Sequence, residues 1–124
     1  MQSQLGKAAI YCRTALADTE ELDNQEQAAR ELVKSYGYTN IICYRDNAAS
    51  GTTIDRPEMN RLRADIQAED IDIVVIRDIS RIARTPALVL QFVLELDEYN
   101  VQLTTVNGDR SKDLANVFRQ YING

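Results

Sequence analysis

The sequence has no histidine among its 124 residues. Catalysis by a histidine acid or base and metal binding through imidazole are therefore excluded. Cysteine occurs only at Cys12 and Cys43, and both lie inside apolar, strand-like runs. Two distant cysteines cannot build a metal site, and their setting is typical of free buried thiols in a reducing cytoplasm rather than of a disulfide framework. We expect no metal and no other cofactor.

Long apolar runs are also lacking. None reaches the roughly 20 residues that cross a bilayer, and the first residues have no apolar core of the signal-peptide kind. We therefore expect a cytoplasmic protein without a membrane partner. The chain is long enough for one compact domain with its own core and too short for two, so we expect a single domain over residues 1–124.

Positive charge is scarce, with 14 lysine and arginine residues against 19 acidic ones and a net charge of −5. This balance argues against broad, nonspecific attraction to nucleic acid. However, eleven of the 14 basic residues are arginine. The planar guanidinium grips phosphate oxygens through two hydrogen bonds, whereas lysine offers a mobile point charge. The composition suits local phosphate binding, although arginines also occur in ordinary surface ion pairs.

Apolar periodicity alternates between strand and helix along the chain. The patterns predict strands over residues 7–14, 40–45, 71–76 and 101–106, and helices over residues 22–36, from Pro57, from Pro86 after a capping Thr85, and from Ser111. Strands separated by helices imply right-handed crossovers. We therefore expect an α/β fold of three layers, in which a mostly parallel sheet of four or five strands carries helices on both faces.

Four arginines fall at the end of the first predicted strand, in the loop after the second and, twice, in the loop after the third: Arg13, Arg56, Arg81 and Arg84. In an open parallel sheet the carboxyl ends of the strands share one edge, where ligands bind. Guanidinium groups gathered there repel one another unless an anion such as phosphate neutralises them. The alternative is that nearby acids pair with them: Asp46, Asp55 and Asp78.

Four short motifs fall in the order found in a known family. They are Tyr11-Cys12-Arg13 at the end of the first strand, Leu22-Asp23-Asn24-Gln25 opening the next helix, Ser50-Gly51 followed by Asp55-Arg56-Pro57, and Ser80-Arg81-Ile82-Ala83-Arg84 after the third strand. Each motif alone is weak, but four colinear motifs over residues 7–107 are specific. The chain resembles the catalytic domain of serine-type site-specific DNA recombinases, the resolvase and invertase family, which implies a resolvase-like fold.

The resemblance implies a function in site-specific DNA recombination. In that family a serine two residues past the first-strand arginine attacks a DNA phosphodiester. A covalent phosphoserine–DNA link forms, and the exchanged ends are religated without metal or cofactor. The family's arginines stabilise charge on the phosphoryl oxygens, which is the main requirement of phosphoryl transfer. By position, the resemblance implies a supporting role for Gln25 and DNA phosphate binding by four residues: Arg13, Arg56, Arg81 and Arg84.

Two positions depart from the family pattern. The nucleophile position, two past Arg13, is Ala15. A methyl group cannot attack phosphorus, so we expect little or no strand cleavage. Ser80 stands where small resolvases carry aspartate, although other branches of the family carry serine there. Neighbouring hydroxyls are poor substitutes, because Thr14 should point to the opposite face of its strand and Ser50 is typical of a turn.

Two hypotheses share this fold. The first is a recombinase catalytic domain whose anion site is intact but whose nucleophile is missing. The second is a non-enzymatic module that regulates recombination by assembling with itself, as a homo-oligomer, or with an active recombinase. Leu88, Leu90 and Leu94 lie off the main apolar stripe of the third helix, and they suit either a wide buried face or a subunit interface. The last predicted helix offers another candidate surface: Val117, Phe118, Tyr121 and Ile122.

Family members carry a long helix and a separate DNA-binding domain after the catalytic domain. No helix-turn-helix or zinc-binding pattern precedes Gly124, so we expect this chain to contact the DNA backbone weakly and without sequence specificity. A third hypothesis, a small nucleotide-binding α/β domain, would need a glycine-rich loop after the first strand. Residues 14–18 contain no glycine, which makes that hypothesis a poor fit.

Overall fold

A computed structural model describes residues 6–68 and 70–107. The elements are β1 (Lys7–Arg13), α1 (Thr19–Ser35), β2 (Asn40–Asp46), α2 (Pro57–Gln67), β3 (Ile71–Ile76), a short 3-10 turn (Ile79–Arg81), α3 (Pro86–Glu98) and β4 (Gln102–Thr105). The predicted alternation of strands and helices is confirmed over this part of the chain. The helix predicted from Ser111 lies outside the described residues.

The four strands form one parallel sheet in the order β2-β1-β3-β4. Arg13 at the end of β1 lies opposite Asp46 at the end of β2, and Ile76 at the end of β3 lies opposite Thr105 of β4. The carboxyl ends of the strands therefore meet at one edge. The predicted parallel sheet is confirmed, with four strands in the described residues.

Side chains of β1 alternate between two apolar cores. Ala9 and Tyr11 pack on the face covered by α2 and α3, whereas Ala8, Ile10 and Cys12 pack on the face covered by α1. This alternation is the two-residue period of a strand, and a central parallel strand needs apolar residues on both sides. Helices cover both faces of the sheet, so the three-layer prediction is confirmed.

The ends of α1 follow from local chemistry. The carboxylate of Asp18 accepts a hydrogen bond from the backbone N–H of Glu21 (3.0 Å) and so caps the helix. The helix therefore begins at Thr19, three residues before the predicted start at Leu22. Gly37 ends it as predicted, since its φ of 96° is a conformation that favours glycine.

Two of the three extra leucines of α3 are covered. Leu90 is buried and Leu88 packs against the core beneath α2 and α3, which fits the wide buried face. Leu94 remains 54% exposed. Among the described residues, no helix combines the length and the apolar character needed to cross a bilayer.

Candidate functional site

The four predicted arginines converge on the carboxyl edge of the sheet. Arg13 is the last residue of β1, Arg56 directly precedes α2, Arg81 ends the 3-10 turn, and Arg84 lies between that turn and α3. The side chains of Arg13 and Arg84 both approach Gly51. Parallel strands alone bring these loops together, because the chain returns to the same edge after each crossover.

The guanidinium of Arg13 ties together the loops that follow the first three strands. Its Nε donates to the carbonyl of Arg81 (3.2 Å), Nη1 to that of Ala49 (2.8 Å) and Nη2 to that of Ser80 (2.8 Å). The residue is only 5% exposed. All three nitrogen atoms of this guanidinium are therefore engaged inside the protein.

Arg56 is even more enclosed, at 2% exposure. Its Nε donates to the carbonyl of Thr53 (2.9 Å), and Nη1 donates to the hydroxyl of Tyr11 (2.7 Å) and to the carbonyl of Arg81 (3.3 Å). Its Nη2 donates to the carbonyl of Ile82. Arg56 thus joins the loop after β2 to the turn after β3 from the buried side of the site.

Tyr11 and Asp46 support Arg56 from below. The Tyr11 hydroxyl donates to the Asp46 carboxylate at 2.7 Å. Burial raises the pKa of Tyr11 well above its usual value, with the Arg56 charge opposing the rise and Asp46 adding to it. Asp46 also accepts the backbone N–H groups of Glu58 and Met59 (3.0 Å each) and so caps α2 from a neighbouring strand.

Arg81 and Arg84 are the more exposed pair. Nη1 of Arg81 donates to the carbonyl of Arg13 (3.1 Å), and its Nε lies 3.5 Å from a carboxylate oxygen of Asp78. That Nε is buried and has no hydrogen-bond partner among the described residues. The Arg84 side chain is exposed on the rim of the same edge. Arg81, with 17% of its side chain exposed, and Arg84 are therefore the two arginines of this edge with accessible side chains.

Pairing with acids, the alternative considered for these arginines, occurs at one of the four. Arg81 lies beside Asp78, whereas the ion pairs found among residues 6–68 and 70–107 do not include Arg13, Arg56 or Arg84. Burial lowers the pKa of Arg13, and three neighbouring positive charges lower it further: Arg56, Arg81 and Arg84. The edge therefore carries mutually repelling cations that an anion would stabilise.

Ser80 shapes the turn that holds Arg81. Its backbone N–H donates to the Asp78 carboxylate (3.1 Å), and its hydroxyl donates to the same oxygen. Burial acts to raise the pKa of Asp78, but the hydrogen bond from Ser80 and the charges of Arg81 and Arg77 outweigh it and hold that pKa below its usual value. Asp78 is therefore a carboxylate at neutral pH and fixes the turn as an anion.

Gln25 reaches from α1 to the end of β1. Its Oε1 accepts the backbone N–H of Arg13 (3.2 Å), and its Nε2 donates to the carbonyl of Arg13 (3.1 Å) and to the Glu21 carboxylate (3.2 Å). The side chain is 1% exposed. The structure thus places Gln25 against the main chain of the first arginine, where it fixes the backbone that leads to position 15.

Position 15 lies on an exposed segment immediately after β1. Ala15 is exposed, and the adjacent hydroxyl of Thr14 is buried. That hydroxyl donates to Oδ1 of Asn47 (2.9 Å) and accepts the backbone N–H of Ala48 (3.3 Å). The Thr14 hydroxyl thus both donates and accepts a hydrogen bond, so this group is poorly placed to act as a nucleophile.

The loop of Ser50 and Gly51 packs against the arginines. The Ser50 hydroxyl accepts the backbone N–H of Thr52 (3.1 Å), which is the arrangement of a turn residue. A Cβ on Gly51 would meet the Arg84 side chain and lie 3.0 Å from Nη2 of Arg13. Glycine here lets two cationic side chains pass close to the main chain.

Sequence reasoning missed the roles of Tyr11, Asp46 and Asn47. Tyr11 carried a usable signal, because a hydroxyl at the end of a buried strand needs a buried partner. Asp46 and Asn47 act across loops, and no local pattern marks such contacts. The described residues contain no group of three or more cysteine, aspartate or glutamate side chains that could bind a metal ion together.

Known proteins are similar to this chain in sequence and in fold. The family model for the resolvase N-terminal domain matches residues 8–124. A putative DNA recombinase of Bacillus subtilis (strain 168) is 32% identical over 107 residues, which cover 82% of this chain and 20% of that protein. A resolvase of Escherichia coli is 39% identical over 83 residues, covering 67% and 36%. This chain thus spans a minor part of the length of both relatives.

The crystal structure of the N-terminal catalytic domain of TP901-1 integrase superposes with a TM-score of 0.80. The two chains are 22% identical, and the match covers 95% of this chain and 99% of the other. At this identity the structural similarity shows a shared fold only. Membership of the family is shown by the family model and by the sequence relatives. The chain belongs to the resolvase N-terminal domain family and has the fold of a serine recombinase catalytic domain.

Proposed function

We propose that this chain is a recombinase catalytic domain that holds a DNA phosphate but does not cut the strand. The observation that carries the proposal is the methyl group of Ala15 on an exposed segment beside a cationic edge. The edge supplies positive charge for a phosphodiester, and position 15 supplies no atom that can attack it. In this proposal the site therefore has the positive charge that binds a phosphate but lacks the nucleophile that would cut the strand.

The four arginines divide into two pairs in this proposal. Arg81 and Arg84 contact the phosphate oxygens, because their side chains are the more exposed ones of the four. Arg13 and Arg56 contribute mainly their charge and hold the loops in place, because their nitrogen atoms already donate to carbonyl and hydroxyl oxygens. Direct phosphate contact by the second pair stays a prediction, and it would require these internal bonds to open.

The missing step is one bond exchange at phosphorus. A hydroxyl oxygen at position 15 would form a bond to phosphorus as the bond from phosphorus to one deoxyribose oxygen breaks. The attacking hydroxyl loses its proton, and the leaving oxygen gains one. Most of the rate acceleration of such a reaction comes from alignment of the reacting groups and from stabilisation of the phosphoryl oxygens. In this proposal the cationic edge provides both, and position 15 provides neither.

Covalent trapping on a nicked DNA substrate tests the proposal. The full chain is fused to a DNA-binding domain of known specificity, and an active domain of the family in the same fusion is the positive control. Ala15→Ser restores a hydroxyl, and Ala17→Ser places an equal hydroxyl two residues further along the exposed segment as a matched control. Arg81→Ala in the Ala15→Ser background removes the phosphate contact.

We expect a protein–DNA adduct from Ala15→Ser alone, and its loss when Arg81→Ala is added. An adduct from the unchanged chain would refute the proposal that the domain is silent. If Ala15→Ser forms no adduct while the positive control does, the site has lost more than its nucleophile. The second candidate function, a non-enzymatic assembly module, would then replace the proposed one.

The second candidate function is a non-enzymatic module that assembles with itself or with an active recombinase. The observation that favours it is the exposure of two leucine side chains, at 82% for Leu16 and 54% for Leu94. Light scattering of the chain, alone and mixed with an active family domain, measures such assembly. A dimer that Leu94→Gln dissociates would support this function; a monomer at all concentrations and in all mixtures would contradict it. Under either function, we propose that the chain acts as a single domain in the cytoplasm.

A further inference from the structure

The segment that carries position 15 is fastened at both ends to the turn after β2. At its start, the backbone N–H of Thr14 donates to the carbonyl of Asp46 (3.1 Å), and the carbonyl of Thr14 accepts the N–H of Ala49 (2.9 Å). At its end, the backbone N–H of Asp18 donates to Oδ1 of Asn47 (3.0 Å). Residues 15–17 span the interval between these two attachments and are exposed.

A single side-chain atom connects the two ends. Oδ1 of Asn47 accepts the hydroxyl of Thr14 (2.9 Å) together with the N–H of Asp18. Asparagine is common in turns, where its side chain usually binds the backbone of its own turn. Here the amide oxygen instead bonds to the segment after the neighbouring strand, so turn propensity alone does not account for it.

The turn itself presents Asn47 in the right place. Ala48, the next residue, has a φ of 57°, a left-handed conformation that costs an alanine free energy. In that conformation its backbone N–H donates to the Thr14 hydroxyl (3.3 Å). The strained residue and the Asn47 amide oxygen thus bind the same hydroxyl from the same turn, and both hold the start of the exposed segment.

The end of the segment depends more heavily on Asn47. Without its amide oxygen, Thr14 keeps two backbone hydrogen bonds, whereas the N–H of Asp18 loses its partner. We propose that Asn47 is the positioning residue for position 15. Its amide oxygen holds both ends of the exposed segment and so fixes the location of position 15 relative to the arginines. The consequence for strand cleavage rests on the proposed function, whereas the closing contact itself does not.

Amide hydrogen exchange measures the contact without any DNA chemistry. We expect Asn47→Ala to speed exchange at the Asp18 amide by about fivefold, the equivalent of about 1 kcal/mol for one hydrogen bond. Asn47→Asp keeps an acceptor oxygen at the same distance from the main chain and should retain the protection. Asn40→Ala, at the amino end of β2 and exposed, is the matched control. Equal exchange in Asn47→Ala and Asn40→Ala would overturn the proposal.

Trapping in the Ala15→Ser fusion measures the consequence for chemistry. At saturating DNA, Asn47→Ala should slow adduct formation about tenfold or more, because misplacement of a reacting group by about 1 Å is sufficient for such a loss. The DNA concentration at half-saturation should stay unchanged, and Asn47→Asp should recover most of the rate. A fall in DNA affinity with an unchanged rate would overturn the positioning role.

The two failures are distinguishable. If Ala15→Ser alone forms no adduct while the active family domain does, the proposed function fails, and the exchange experiment still decides whether Asn47 closes the segment. If Ala15→Ser forms the adduct and Asn47→Ala forms it equally fast, the proposed function stands and the positioning role is overturned.

Discussion

Arg56 should matter for stability far more than its equally charged neighbour Arg84. Arg56→Met keeps most of the side-chain volume but removes four hydrogen bonds at a site that is 2% exposed. Hydrogen bonds to charged groups contribute about 1.5–3 kcal/mol each, and they are not additive, since loops relax and admit water. We expect a loss of about 4 kcal/mol, which is a large part of the roughly 6–19 kcal/mol typical of a domain of this size.

Urea unfolding followed by circular dichroism measures this loss. With a slope of about 2 kcal/mol per molar urea, the midpoint of Arg56→Met should fall by about 2 M. The matched control is Arg84→Met, which changes an exposed guanidinium and should alter the free energy of unfolding by less than about 0.5 kcal/mol. Equal losses in the two variants, or a loss below about 1 kcal/mol for Arg56→Met, would refute the division of the arginines into an internal pair and a more exposed pair.

Two further predictions concern the loops around the site. Ala48→Gly should raise the free energy of unfolding by about 0.5 kcal/mol, because relief at a φ of 57° outweighs the added freedom of the unfolded chain; a lower thermal midpoint would contradict this. The folded-state pKa of Asp78 is depressed, so its stabilising contribution is present above the ordinary aspartate pKa of about 4 and is lost as pH falls towards the folded value. Asp78→Asn should therefore lower stability at neutral pH and converge with the unchanged chain in acid, and a constant difference from pH 7 to pH 2 would refute this.

Periodicity was sufficient to predict the layers of this fold. The apolar runs at residues 7–14 and 71–76 became the two central strands, because a strand buried on both faces has no polar side. The predicted start of α1 was wrong, although the sequence contains the signal for the correct one. Asp18 followed by Glu21 three residues later is a helix-capping pattern. A helix boundary depends on such a local contact and not on the apolar stripe.

The arrangement within the site was less predictable than its location. Parallel strands must deliver Arg13 and Arg81 to one edge, so sequence order was enough to bring them together. Whether a guanidinium points outward or into carbonyl oxygens depends on how three loops pack, and these loops are distant in sequence. The burial of Arg56 and the capping of α2 by Asp46 are therefore properties of tertiary structure.

Peptide mapping of DNA-reacted protein shows whether any residue of this chain forms a covalent link to DNA. After the nicked substrate is incubated with the fusion and digested with nuclease, mass spectrometry locates any nucleotide phosphate left on the chain. We expect no modified peptide from the unchanged chain and, from Ala15→Ser, a single modification at position 15 that disappears with Arg81→Ala. A nucleotide phosphate on Thr14 or Ser50 of the unchanged chain would contradict the claim that the missing hydroxyl at position 15 silences this domain.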